Sequence, residues 1–130
     1  MIVLDASAAL EWLLQTSVGF RIESRVYSNG ESLHATHVLD LEVAHVLWRL
    51  VRAGTVLERR AEESLRVLRH TRIRRYSHVR FLPRIWQYRH TLSAYDAAYV
   101  VLAETLGATL LTRDARLASA HGHSATIELF

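Results

Sequence analysis

Cysteine is absent from this 130-residue chain, and so is lysine. Without cysteine there are no disulfides, no thiolate nucleophile and no cysteine-based zinc site. Without lysine, Schiff-base chemistry and any phosphate site that needs an ammonium are closed. Glycine and proline are scarce, five and one, too few for linkers or disordered segments. No apolar run approaches the roughly 20 residues of a membrane span. The opening Met1-Ile2-Val3-Leu4-Asp5 lacks the basic region and the apolar stretch of a signal peptide. A soluble, cytoplasmic protein is the expectation, and the length suits a single domain with its own core.

What the chain has instead is arginine, concentrated between Arg49 and Arg89, with a net charge of +3. Such a stripe suits a polyanion such as RNA, and it equally suits a solvated helical face.

Apolar runs and helical periodicities alternate along the chain. Ile2 to Asp5 reads as a buried parallel strand. Ser7 is placed to cap a helix through Ala8, Leu10, Leu13 and Leu14. Val18 to Tyr27 forms a second helix, stopped by Asn29-Gly30. Leu33 to Thr36 is the next strand, Val38 to Arg52 a helix ended by Gly54, and Leu57 to His70 another, with Leu65 and Leu68 inward. Ile73 to Tyr76 reads as a strand and Pro83 to Tyr88 as a short helix. Ser93 to Leu106 is a capped helix ended by Gly107. A strand at Ala108 to Leu111, a helix at Arg113 to Ala120 and a strand at Thr126 to Leu129 complete the chain. Strands alternating with helices imply βαβ crossovers, hence an α/β fold of three layers with a mostly parallel sheet of four or five strands.

The acidic residues fall in a pattern on that scheme. Asp5 ends the first strand. Glu42 lies in the first turns of the helix after the second strand. Asp96 is three residues past the cap Ser93, and Asp114 follows the strand Ala108–Leu111 into a first helical turn. All four places lie along the carboxyl edge of a parallel sheet, where such folds bind ligands. Asp40, two residues before Glu42, faces the other way. Taken singly, each carboxylate is explained by the helix dipole, and Ser93-Ala94-Tyr95-Asp96 looks like a capping box. Taken together they need a cation: two carboxylates ~4 Å apart repel by about 4 kcal/mol at an effective dielectric near 20. Hard oxygen donors of this kind select Mg²⁺ or Mn²⁺.

These residues also carry a resemblance. Val3-Leu4-Asp5-Ala6-Ser7-Ala8, Leu41-Glu42-Val43, Leu92-Ser93-Ala94-Tyr95-Asp96-Ala97-Ala98-Tyr99 and Leu110-Leu111-Thr112-Arg113-Asp114-Ala115-Arg116-Leu117 resemble the PIN-domain toxins of VapBC toxin–antitoxin pairs. The four motifs stand in the family's order and span the chain. One departure is His37, where many relatives have a proline. The resemblance implies a ribonuclease with an acidic quartet of Asp5, Glu42, Asp96 and Asp114, with Asp5 and Asp96 the positions most regularly credited with metal; Asp114 is expected to complete the metal's shell. It matches Ser7 and Thr112 to polar neighbours that orient those carboxylates. It also implies a homodimer and an antitoxin protein that inhibits the enzyme.

Arg113, beside Asp114, is the first choice for an RNA phosphate contact. The eight histidines include no pair with the spacing of a recognised zinc motif. Trp12, Leu13, Phe20, Leu47, Trp48 and Val51 are expected mostly in the core, with some of them free to line an antitoxin groove. Two other readings stay open: a nuclease of the same fold that processes RNA without an antitoxin, and a non-catalytic RNA- or protein-binding module.

Overall fold

A computed structural model describes residues 1–130. Five strands form its sheet: β1 (Ile2–Leu4), β2 (Leu33–Thr36), β3 (Ile73–Tyr76), β4 (Thr109–Thr112) and β5 (Thr126–Leu129). Their order is β3-β2-β1-β4-β5, and every neighbouring pair is parallel. The chain winds outward from β1 to β3, then returns to the other side of β1 for β4 and β5. This reversal puts the topological switch point between β1 and β4, the place where open parallel sheets open a crevice.

Seven helices connect the strands: α1 (Ala6–Leu13), α2 (Ser17–Ser28), α3 (Val38–Arg52), α4 (Glu58–His70), α5 (Leu82–Gln87), α6 (Ala94–Leu106) and α7 (Ala115–Ala118). A short 3₁₀ turn, Val79–Phe81, leads into α5. Right-handed crossovers lay α1–α4 on one face and α5–α7 on the other. In keeping with this, α1 packs on α2 and α3, and α3 on α4, while α6 lies across β1, β2 and β4. Helix α6 is buried without a break from Ala97 to Ala103. That marks a helix covered on all sides, by the sheet below and by α5 and the 3₁₀ turn beside it. The middle strands are equally dry, with Ile2, Val3, Leu4, Leu110 and Leu111 at 0% exposure.

Several expectations are corrected. Asp5, not Ser7, caps α1, its side chain accepting from the Ala8 N–H. Asp5 is itself extended backbone, so the helix begins two residues earlier than the Ser7 signal suggests. Leu65 points to solvent, and so do Phe20 and Trp48, at 55% and 57% exposure. Leu13 and Leu47 are core, while Trp12 and Val51 pack against its margin. Helical spacing marks the apolar positions of an element but not the limit of what covers it; nothing reaches over the outer flanks of α2 and α3. Asp40 does face away from Glu42, and its carboxylate grips Arg75 on β3 through two bonds of 2.7 Å.

At the amino-terminal edge, Glu31 accepts from the Met1 ammonium and from Arg25, each at 2.7 Å, and Arg25 also reaches Glu128 on β5. These contacts, the Met1 bond first, hold the Glu31 carboxyl down to about 2 against an ordinary 4.5. A depressed carboxyl contributes stability that is complete above its unfolded value and is lost as pH falls toward the folded one. The wild type is therefore expected to lose more stability between pH 4.5 and 2 than a Glu31→Gln variant. Urea denaturation at stepped pH measures it, and parallel curves for the two proteins would refute it.

Candidate active site

The carboxyl edge of the sheet holds a hollow of about 280 Å³ lined by Asp5, Glu42, Asp96 and Asp114, with Ser7, His45 and Tyr99 among its other walls. All four carboxylates singled out in the sequence thus reach one pocket, from β1, α3, α6 and the β4–α7 turn.

Asp5 is the buried member, 5% exposed. Its Oδ1 accepts from the Ser7 hydroxyl at 2.7 Å and the Ala8 N–H at 2.8 Å, and its Oδ2 from the Thr112 hydroxyl at 2.5 Å. The same two hydroxyls accept in turn: Thr112 from the Asp114 N–H at 2.9 Å, Ser7 from the Arg113 N–H at 2.8 Å. One pair of side chains therefore orients Asp5 and pins the turn that carries Asp114. This is how a strand end and a helix start, 109 positions apart in the chain, are held in register at the switch point.

Glu42 is half-buried, and its Oε2 accepts from the Tyr99 hydroxyl at 2.5 Å. Asp96 sits one helical turn before Tyr99 on α6. Its backbone N–H donates to Ser93, whose hydroxyl donates to Asp96 Oδ2 at 2.8 Å. The capping box is therefore only half made, with the cap's hydroxyl rather than its backbone meeting the acid. Asp114 caps α7, its Oδ1 accepting from Arg116 and Leu117 N–H groups.

Burial is the main force that pushes the Asp5 carboxyl above its usual range, and the charge of Asp96 adds to it. Its three hydrogen bonds pull the other way. Glu42 is raised for the same first reason, with Asp5 and Asp96 both contributing and Tyr99 opposing. Tyr99 itself is driven upward, by burial first and then by Glu42, so it remains a donor. Asp5 and Glu42 thus titrate in a partly dry pocket under the charge of neighbouring carboxylates.

The donor set fits a hard divalent cation in kind. Oδ1 of Asp96, Oε1 of Glu42 and Oδ2 of Asp114 have no protein partner, and a cation would relieve the repulsion that raises Asp5 and Glu42. No group of three His, Asp or Glu side chains is gathered tightly enough to hold an ion by itself. Two carboxylates with water fit better, a mode common for Mg²⁺.

Arg113 is exposed, and its guanidinium bonds to Glu11 at 3.4 Å and to the Phe130 carbonyl. His45 and Tyr99 line the site although the sequence reading did not assign them to it. The signal was available: each follows an acidic residue of the quartet by three positions, which puts both on the same helical face.

The hydroxyl at Thr112 can be tested directly. Thr112→Val keeps the shape, leaves Asp5 Oδ2 without its partner and frees the Asp114 N–H. Loss of such an orienting contact lowers metal affinity or activity about 10–100-fold. Thr112→Ser restores the hydroxyl and should recover most of it. Equal metal-dependent rates in the valine and wild-type proteins would show that Thr112 orients nothing that matters.

Comparison with known proteins agrees with this architecture. The PIN domain family model matches residues 2–122. Ribonuclease VapC12 of Mycobacterium tuberculosis is 40% identical over 129 residues, covering 99% of this chain and 98% of that protein. Ribonuclease VapC9 of the same organism is 41% identical, covering 90% and 88%. Among solved structures, PAE2754 from Pyrobaculum aerophilum superimposes with a TM-score of 0.71 at 24% identity, over 97% of this chain and 81% of that one. Mycobacterium tuberculosis VapC20, a sarcin-ricin loop cleaving toxin, gives 0.66 at 16% identity, over 92% and 94%. With its family model matched over nearly the whole chain and VapC proteins aligned end to end, this chain belongs to the PIN-domain family, in its VapC branch.

Proposed function

We infer that this protein is the toxin of a type II toxin–antitoxin pair, a Mg²⁺- or Mn²⁺-dependent ribonuclease inhibited by a cognate antitoxin. The observation that carries the reading is the convergence of Asp5, Glu42, Asp96 and Asp114 on one pocket at the switch point of the sheet. VapC relatives named as ribonucleases support it.

Asp5 and Asp96 would hold the ion, with Asp114 completing the shell through water. A bound divalent ion supplies Lewis acidity and a water of lowered pKa. The chain's own groups do the rest. Ser7, Thr112 and the Ala8 N–H fix both oxygens of Asp5, so its lone pairs point into the pocket without reorganisation. Tyr99 holds Glu42 by Oε2 and leaves Oε1 to orient the attacking water. Water oxygen joins phosphorus, the bond to the 3′ oxygen breaks, and that oxygen takes up a proton. The products are a 5′-phosphate and a 3′-hydroxyl. Arg113 would contact an RNA phosphate by exchanging its bonds to Glu11 and the Phe130 carbonyl. The exposed Phe20 and Trp48 leave apolar surface for an antitoxin and for a second toxin subunit.

The test is incubation of the purified protein with a mixed RNA pool in Mg²⁺, in Mn²⁺ and in EDTA. Cleavage in the metal arms that leaves 5′-phosphates is the expected result. Cleavage that persists in EDTA, or none in any arm, would overturn the reading. A small adjoining reading frame whose product suppresses the cleavage would identify the antitoxin.

A further inference from the structure

A second hollow, of about 490 Å³, lies beside the acidic pocket and is lined by Val38, Leu41, Glu42, His45 and Tyr95. Glu42 and His45 belong to both hollows, so the two adjoin along the first turns of α3. The second is different in character: three of its five walls are apolar, and no arginine is among them. Leu41 is 74% exposed and Tyr95 58%, and neither belongs to the core. Tyr95 immediately precedes Asp96 on α6, and no protein group bonds to its hydroxyl. Two large side chains thus stand largely in water at the rim of a charged site, outside the core.

We propose that this groove is a base-binding subsite, which receives an unpaired nucleobase of the RNA strand next to the bond that is cut, stacked on the ring of Tyr95. The inference rests on the ribonuclease reading above and extends it to how the substrate is chosen. A strand with one phosphate at the carboxylates must place its neighbouring nucleotide in whatever adjoins them. The groove suits the base and not the phosphate. It offers no cation, and Glu42 repels an anion, whereas an aromatic ring and aliphatic walls accept a flat base. His45 and Glu42, at the junction, supply a donor and an acceptor for a base edge. A base that stacks only when unpaired would favour single-stranded segments over duplex RNA.

The decisive experiment uses Tyr95→Ala and Tyr95→Phe in the full chain; both changes are at a solvent-exposed position. Cleavage sites in a random RNA pool are mapped from the 5′-phosphate ends. In parallel, binding of a short labelled single-stranded RNA and of its abasic counterpart is measured in EDTA. The wild type should prefer particular bases beside the cut, and Tyr95→Ala should flatten that preference and lower kcat/KM about tenfold, as loss of one stacked base does. Tyr95→Phe keeps the ring and should match the wild type. In EDTA the wild type should bind the abasic strand about tenfold more weakly, while Tyr95→Ala no longer distinguishes the two. An unchanged cleavage profile in Tyr95→Ala, or equal binding of both strands by the wild type, overturns the subsite. Loss of self-association or of antitoxin binding in Tyr95→Ala, with RNA binding intact, would instead make the groove a protein-docking face. If the wild type cut no RNA, the ribonuclease reading would fail, and the EDTA arm would still decide whether the groove takes a base.

Discussion

Asp5→Asn is expected to lose RNA cleavage by about 10³-fold or more while folding normally. On the proposed function Asp5 is a direct ligand, and removing one forfeits several kcal/mol of metal-borne stabilisation; each 1.36 kcal/mol is a factor of ten. The fold survives because asparagine keeps the oxygen that caps α1: it can still accept from the Ala8 N–H and the Ser7 hydroxyl. Asparagine is also as good a cap as aspartate. The substitution removes a buried charge that Asp96 disfavours, and it takes away one of the charges that raise Glu42. Without metal, the variant should therefore melt at or above the wild-type temperature. Asp5→Ala is different, because it deletes the cap and leaves the Thr112 and Ser7 hydroxyls without their acceptor. Single-turnover cleavage and thermal melts with and without Mg²⁺ measure both effects. An Asn variant that cleaves within tenfold of the wild type would remove Asp5 from the metal site.

Gly19→Ala should be the most damaging small change to stability. Gly19 is buried where α2 crosses α1. A Cβ there would come within 2.0 Å of the Glu11 carbonyl oxygen, 2.6 Å of its carbon and 3.0 Å of the Trp12 Cα. Those are backbone atoms, which cannot swing aside as a side-chain tip can. Helix α2 must move off α1, and Ile22 and Val26, buried along the same helix, lose part of their packing. Alanine returns up to about 1 kcal/mol in helix propensity. Overpacking of this kind typically costs 1–3 kcal/mol, occasionally more, and backbone on both sides puts this site at the upper end. A Tm lower by about 10 °C is expected for a domain of this size. Calorimetry of the two proteins checks it, and a loss below about 2 °C would mean that α2 slides without cost.

Much of the scaffold could be read directly from local pattern. The strand Leu33–Thr36, the helix Val38–Arg52, and the strands Ile73–Tyr76 and Thr126–Leu129 stand where their apolar spacing puts them. Gly107 ends α6 in the left-handed conformation that such a stop implies, with φ of 59°. The reason is that these elements obey short-range rules: period, cap and stop lie within one segment. Errors gathered where a boundary depends on something distant. Ser7 carries a cap's chemistry, but its hydroxyl is engaged by Asp5 and by the Arg113 N–H from the far end of the chain. Asp114, which pattern places in a first helical turn, is the cap itself. Ser93, whose partner Asp96 is local, caps α6 as its motif implies, and its hydroxyl also holds that site carboxylate.

The sequence by itself narrowed the chemistry: carboxylates at strand ends and first helical turns, with no cysteine and no lysine, are the basis on which a hard cation is proposed. It also determined which four acids could meet, because a parallel sheet brings all its strand ends to one side. Only the tertiary structure decided how they meet. The order β3-β2-β1-β4-β5 sets the carboxyl ends of β1 and β4, which lead into Asp5 and Asp114, side by side, so that Thr112 and Ser7 serve both. The placement of α3 and α6 on opposite faces lets Tyr99 reach Glu42 over the sheet edge. It also decided that Leu41 and Tyr95 stand in water beside the site while Leu39 and Tyr99, on the same two helices, are buried. Period tells which residues of a helix share a face; what each face meets is set by packing between segments that the sequence keeps far apart.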